Sequence, residues 1–325
     1  MPGFRVVVGW YLIGSAAGVA TAGAQADRDP VSSLATRLAS WTAVTGYEQA
    51  AVDTILKLLP RATRDRAGNA RFQLGGGSVK RLLACPLDEP GYVVGGIQDD
   101  GYLTLRRVGR LPFPFFDQQL EGHRVTIYGR TPLPGVVAVR SIHLTRGREP
   151  LNQAPFTVDD AYVDIGAASR AQVGALGIRV LAPVTLAKRP HQYGNQLLAA
   201  PMVGRRAACA ALLVAVQQSL VRAKALPPFT VGFVVEQGLS QRGLTTLANA
   251  AGPFDETIVL DGGPGRLGHL VEKSIPDSTT QLPALGTVSR WSLPVRYAGT
   301  AVETVSLDDA DSLRSKLVKW IGGDP

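Results

Sequence analysis

The stretch Phe229 to Asp261, FTVGFVVEQGLSQRGLTTLANAAGPFDETIVLD, constrains the fold more than any other part of this chain. Thr230 to Val235 is a run of β-branched and aromatic residues that reads as a buried strand, and Arg242-Gly243 with Leu244 to Ala251 reads as a turn into a helix. Thr257 to Asp261 follows as a second strand. Strand, helix and strand within about 30 residues make a βαβ unit, whose parallel strands end where open α/β sheets place their sites. Two polar groups stand at those ends: Glu236-Gln237-Gly238 and Asp261.

Here the chain resembles the tetrahedral and glutamyl (deblocking) metallo-aminopeptidases, a family whose members are sometimes labelled endoglucanase. That family writes its strand end as Thr-Val-Gln-Glu-Glu-Val-Gly-Leu-Arg-Gly. The phrase Val234 to Gly243 keeps the frame and the Arg-Gly, with Gln237 at the place of the general base and Gly238 at the place of a metal ligand. Further phrases follow in the family's order. Thr45-Gly46-Tyr47-Glu48 lies between a helix from Val31 to Val44 and a second helix ending at Leu59, and Asp65-Arg66-Ala67-Gly68-Asn69 is a tight turn between strands.

The resemblance implies where the metal chemistry would sit. The family's His-Met-Asp-Glu-x-Gly, whose His binds a metal and whose Asp orients it, is Pro86-Leu87-Asp88-Glu89-Pro90-Gly91 here, so Asp88 is left with no histidine to orient. Ala-Leu-Asp-Asp-Arg-x-Gly-Cys becomes Met202 to Cys209, with Gly204 replacing the bridging carboxylate and Arg205 adding positive charge. Met-His-Ser-Pro-Val-Glu becomes Ala298 to Glu303, with Gly299 at the histidine. Of the five ligand positions, Pro86, Gly204, Gly238, Asp261 and Gly299, only Asp261 could still donate. A catalytic zinc wants about three protein ligands and a water. The expectation is therefore a degenerate member: no catalytic residue, no bound cofactor, and a role as an assembly, scaffold or peptide-binding partner. The alternative is an active aminopeptidase holding two zinc or cobalt ions through other donors.

No replacement site is visible. His123, His191 and His269 show no paired spacing, His143 reads as a packing residue, and no Gly-x-Ser-x-Gly elbow occurs. Glu236 with Asp261 as a glycosidic carboxylate pair is a weak rival reading. The Gly-rich Leu74 to Ser78 and Asp261 to Gly265 lack the lysine of a phosphate loop and read as turns.

The fold implied is α/β: a mixed sheet flanked by helices, zinc-exopeptidase-like, over 27–91 and 188–325, with a small all-β dimerisation-type domain inserted at 92–187. Gly- and Pro-punctuated runs such as Tyr102 to Val108, Arg124 to Tyr128, Val136 to Val139, Ala161 to Ile165 and Arg179 to Leu186 support the insertion. The family's inserted domain makes dimers that build a twelve-subunit shell, which implies a homo-oligomer. Leu307 to Asp311 would cap a closing helix through Trp320.

The net charge is +8, but no Lys/Arg run exceeds two residues, so the clustered charge of a nucleic-acid footprint is missing. The N-terminus carries Arg5, an apolar stretch Val6 to Val19, and Ala24-Gln25-Ala26, a small-x-small cleavage pattern. Residues 1–26 thus read as a signal peptide and the protein as exported, periplasmic or extracellular. Left uncleaved, they could span a bilayer as an anchor. Cys85 and Cys209 both lie in apolar surroundings and read as buried free thiols, with a single disulfide the alternative in an oxidising compartment.

Overall fold

A computed structural model describes residues 30–75, 80–109, 113–138, 155–222, 226–275 and 282–323. The leader, His143 and most of the Gly-rich Leu74 to Ser78 lie outside the described residues. The chain opens with α1 (Pro30–Ala39) and α2 (Gln49–Leu58), then β1 (Thr63–Arg64), β2 (Ala70–Leu74) and β3 (Arg81–Pro86). It leaves β3 for β4 (Gly91–Ile97), β5 (Leu103–Val108), β6 (Arg124–Tyr128), β7 (Pro132–Ala138), β8 (Tyr162–Asp164), the short α3 (Arg170–Ala175) and β9 (Pro183–Leu186). The return passes through β10 (His191–Tyr193), β11 (Leu197–Ala199), α4 (Val203–Arg222), β12 (Phe229–Val234), α5 (Arg242–Ala251) and β13 (Glu256–Pro264). β14 (Val271–Ile275), β15 (Thr287–Arg296), β16 (Thr304–Ser306) and α6 (Leu307–Gly322) complete it.

Two bodies of structure result. β4 to β9 close into a six-stranded barrel in the order β4-β5-β8-β7-β6-β9, all neighbours antiparallel. The remaining strands form one mixed sheet, β1-β2-β12-β3-β13-β15-β16-β11-β10, with β14 on β15. Its centre, β12, β3, β13 and β15, is parallel. The strands of the βαβ unit are parallel as expected, but β3 lies between them.

Period-two alternation sends the two faces of β3 into different cores. Leu83 and Cys85 join α1, α4 and α6 on one side, while Leu82 and Ala84 join Leu244 and Leu247 of α5 on the other. α4 is buried around most of its circumference from Ala207 to Val216, as expected of an Ala-rich helix apolar on every side. Across this packing Cys85 and Cys209 are joined in a disulfide, not left as free thiols. Helix α4 lies over the face of β3 that carries Cys85, so the two sulfurs meet. Both cysteines are fully enclosed and the bond closes a loop 124 residues apart in sequence. Replacing both by alanine is expected to lower stability by about 2–4 kcal/mol, measured by urea unfolding.

Three local expectations are corrected. Asp261 to Pro264 is not a turn: β13 runs on through it, pairing Gly262 with Leu293 and Pro264 with Val295. Arg179 to Ala182 is a bend, with Leu181 at φ 70°, and the strand begins only at Pro183. Finally, Ser306 precedes α6 without a side-chain cap, and Asp309 instead accepts the Gly268 N–H at 2.9 Å, tying the helix to the segment after β13.

Candidate functional site at the ends of the parallel strands

The carboxyl ends of β12, β3, β13 and β15 come together with the N-terminus of α4. Pro86 closes β3 opposite Val234, and Asp261 stands on β13 opposite Ser292. Asp88, two residues beyond β3, is buried. Its Oδ2 accepts from Thr45 Oγ1 at 2.9 Å and from the Gly238 N–H at 2.7 Å. Asp88 is therefore not without an object, as the sequence had implied; it orients the loop after β12 instead of a histidine. Gly204 and Gly299 share Glu303, which accepts the Gly204 N–H at 2.9 Å and the Gly299 N–H at 2.7 Å. Burial pushes the Glu303 carboxyl up from its ordinary value, against the pull of those two N–H groups. Gln237 Oε1 is buried and has no hydrogen-bond partner among the described residues.

Arg205 occupies the middle of this ring. Its Nε donates to Asp261 Oδ1 at 2.9 Å and its Nη2 to Asp261 Oδ2 at 3.2 Å, a two-pronged pairing that matches the guanidinium fork. Its Nη1 donates to the Asp88 carbonyl and reaches Asp88 Oδ1 at 3.4 Å. Burial works against the Arg205 charge, but Asp261, Asp88 and Glu303 outweigh it and hold the guanidinium above its usual range. The side chain is a fixed monocation between carboxylates.

The donor set does not fit a pair of divalent ions. Among the described residues no three His, Cys, Asp or Glu side chains are grouped to hold a metal. Nor is there room for a side chain at Gly204: a Cβ there would stand 2.5 Å from Val295 Cγ1 and 2.9 Å from Gly262 Cα. Helix and strand have closed on each other through two glycines. The rival carboxylate pair is divided between two arginines, since Glu236 binds Arg242 at 2.8 Å and Asp261 binds Arg205. His123 and His191 are exposed, the latter stacked on Tyr193.

A model of the M42 glutamyl aminopeptidases matches residues 68–272, more than half of the chain. The chain belongs to that family. It is 31% identical to SgcX of Escherichia coli K12 over 179 residues, 53% of this chain and 46% of that protein. To the lysyl aminopeptidase of Pyrococcus furiosus it is 27% identical over 187 residues, 54% of this chain and 51% of the other. The aligned part thus spans about half the length of these relatives. Among solved structures, the TET1 peptidase of Pyrococcus horikoshii superposes with a TM-score of 0.79 at 20% identity, covering 90% of this chain and 99% of that one. That likeness is of fold: a mixed α/β body with an inserted barrel.

Two groups beside this M42 frame were not legible in the sequence. Glu89 is a buried carboxylate between Lys188 and Arg206, with Arg206 Nη2 at 3.0 Å. Glu48, just ahead of α2, accepts the Gly46 N–H at 3.0 Å and the Glu236 N–H at 2.9 Å. Burial, aided by the nearby Asp88 charge and opposed by those N–H groups, pushes the Glu48 carboxyl up to about 7. A folded pKa above the unfolded one means the native state binds the extra proton between about pH 4.5 and 7, so this group's stabilisation is full below that window and is lost through it. Stability should fall by up to about 3 kcal/mol across the window, and Glu48→Gln should flatten the slope in a series of thermal melts.

Proposed function

We propose that this M42 chain is a catalytically inactive, aminopeptidase-like protein that acts as an assembly, scaffold or peptide-binding partner. The observation that carries the reading is Arg205, held in a fork by Asp261 and against Asp88 where relatives are expected to keep two metal ions. A guanidinium there repels divalent cations and occupies Asp261, the one of the five expected ligand positions that could still donate. Without a metal to bring the pKa of a bound water from 15.7 to about 7, hydroxide at neutral pH is scarce. Gln237, in the place of the general base, takes up no proton.

Family membership favours a second reading, an active metallo-aminopeptidase with zinc or cobalt on unexpected donors. Elemental analysis of purified protein separates the two. The expected result is less than a tenth of an equivalent of zinc or cobalt per chain and no chelator-sensitive cleavage of aminoacyl anilides. Stoichiometric metal with such cleavage would overturn the proposal.

Homo-oligomerisation is part of the same reading, with the barrel as the contact. Its support is the likeness to the TET1 peptidase, described as assembling into a tetrahedron or a large octahedral shell. Export fits the buried Cys85–Cys209 disulfide, since such bonds persist in oxidising compartments. No described helix is long and apolar enough to cross a membrane.

A further inference from the structure

The seam between barrel and sheet holds a small cleft beside the Arg205 ring. Its walls are largely apolar, with Tyr92 and Phe116 from the barrel side and Pro201 and Met202 from the approach to α4. The Glu89–Lys188 ion pair, Gln119 and Thr300 also line it, and one further polar group there is unpartnered. Thr185 also lines the cleft, is 4% exposed, and its Oγ1 has no hydrogen-bond partner among the described residues. Native proteins seldom leave a buried hydroxyl unpaired, so such a side chain in a cavity wall leaves a place for a water or for a ligand's polar group.

A second, wider cleft adjoins the first, sharing Leu186 and Pro201. It is lined by His123, Arg124 and Arg189, all exposed. Neither Arg124 nor Arg189 forms an ion pair with a carboxylate among the described residues, whereas Arg107 and Arg206 do. Two unopposed guanidinium forks at the mouth of an apolar cavity select a planar anion attached to an apolar group. Inorganic phosphate would leave the inner cleft unfilled, and a neutral apolar molecule would leave the arginines unmatched.

We propose that this seam binds the C-terminal residue of a peptide, with its apolar side chain in the inner cleft and its carboxylate on Arg124 and Arg189. The Thr185 hydroxyl pairs with the ligand's terminal amide. The site rests on the peptide-partner part of the reading above and is independent of whether catalysis has been lost. It takes the opposite end of a peptide from the one an aminopeptidase acts on.

Titration calorimetry of the intact protein with N-acetyl-alanyl-leucine, its C-terminal amide, and unblocked alanyl-leucinamide tests it. The blocked acid is expected to bind at least tenfold more tightly than either amide. Arg124→Gln with Arg189→Gln should cost the acid at least tenfold while leaving the melting temperature and the amides unchanged. Thr185→Val, which removes the unpaired hydroxyl, should hold or raise the melting temperature and weaken the acid severalfold. An acid that binds no better than the amides, or unblocked alanyl-leucinamide binding best, would overturn the proposal while leaving a peptide partner in place. Displacement of the acid by millimolar phosphate alone, or variants that bind like the parent, would overturn it equally. No binding by any of the three peptides would remove the peptide-partner reading as well.

Discussion

Arg205→Ala is expected to destabilise the fold by about 3–5 kcal/mol, one of the two largest effects expected of any single exchange in this chain. The size follows from what is left behind. Asp261 would lose both prongs of its partner, and Asp88, which is 2% exposed, would keep only Thr45 and the Gly238 N–H. Breaking a buried pair by removing one member strands the other charge, and that cost exceeds the pair's net worth. Arg205→Lys keeps the charge but not the fork, and should recover only part of the loss. Urea unfolding with unchanged slope measures both. A loss under about 0.5 kcal/mol for Arg205→Ala would mean that the guanidinium does not tie the strand ends together. Gly204→Asp tests the same centre from the other side. With Gly262 backbone 2.9 Å from the new Cβ, the exchange must force α4 off β13, at a cost of about 1–3 kcal/mol or more, and should bind no added zinc.

The backbone frame could be read from the chain because its signals are local. The run around Val231 and Phe233 is buried on both faces of the sheet, and the Asp65 carboxylate accepts the Ala67 and Asn69 N–H groups within the turn read from Asp65-Arg66-Ala67-Gly68-Asn69. Contacts made across the fold were the ones that escaped. Alternation along β3 separates Cys85 from Pro86 by face, but that Cys209 meets Cys85 depends on how α4 lies on the sheet, 124 residues away. Asp88 looked idle because its partners, Thr45 and Gly238, come from segments 43 and 150 residues distant. Asp261 to Pro264 looked like a turn because Gly and Pro break strands by default. There the glycine serves a close approach instead, with Gly262 lying under Gly204. At the candidate site, the identities of Pro86, Gly204, Gly238, Asp261 and Gly299 were legible, and the hydrogen bonds that Arg205, Asp88 and Glu303 make among them were not.

The other large effect is expected at Glu89. This carboxylate follows β3, just where the chain leaves the sheet for the barrel, and Lys188 follows β9, just where it comes back. Joined to Arg206 of α4, the three side chains lock both crossings to the sheet, all 5% exposed or less. Glu89→Gln leaves two buried cations unneutralised and should cost about 3–5 kcal/mol near neutral pH. The deficit also has a pH signature. Burial, with Arg206 adding to it and Glu89 opposing it, pushes the Lys188 amine down to about 8 from 10.5. A depressed lysine binds fewer protons folded than unfolded, so stability rises with pH between the two values. Without Glu89 the amine should deprotonate lower still, steepening that rise in the variant below pH 8. The stability gap between variant and parent should therefore narrow from pH 6 to pH 8. A gap that stays constant over that range would mean that Lys188 does not depend on Glu89 for its charge.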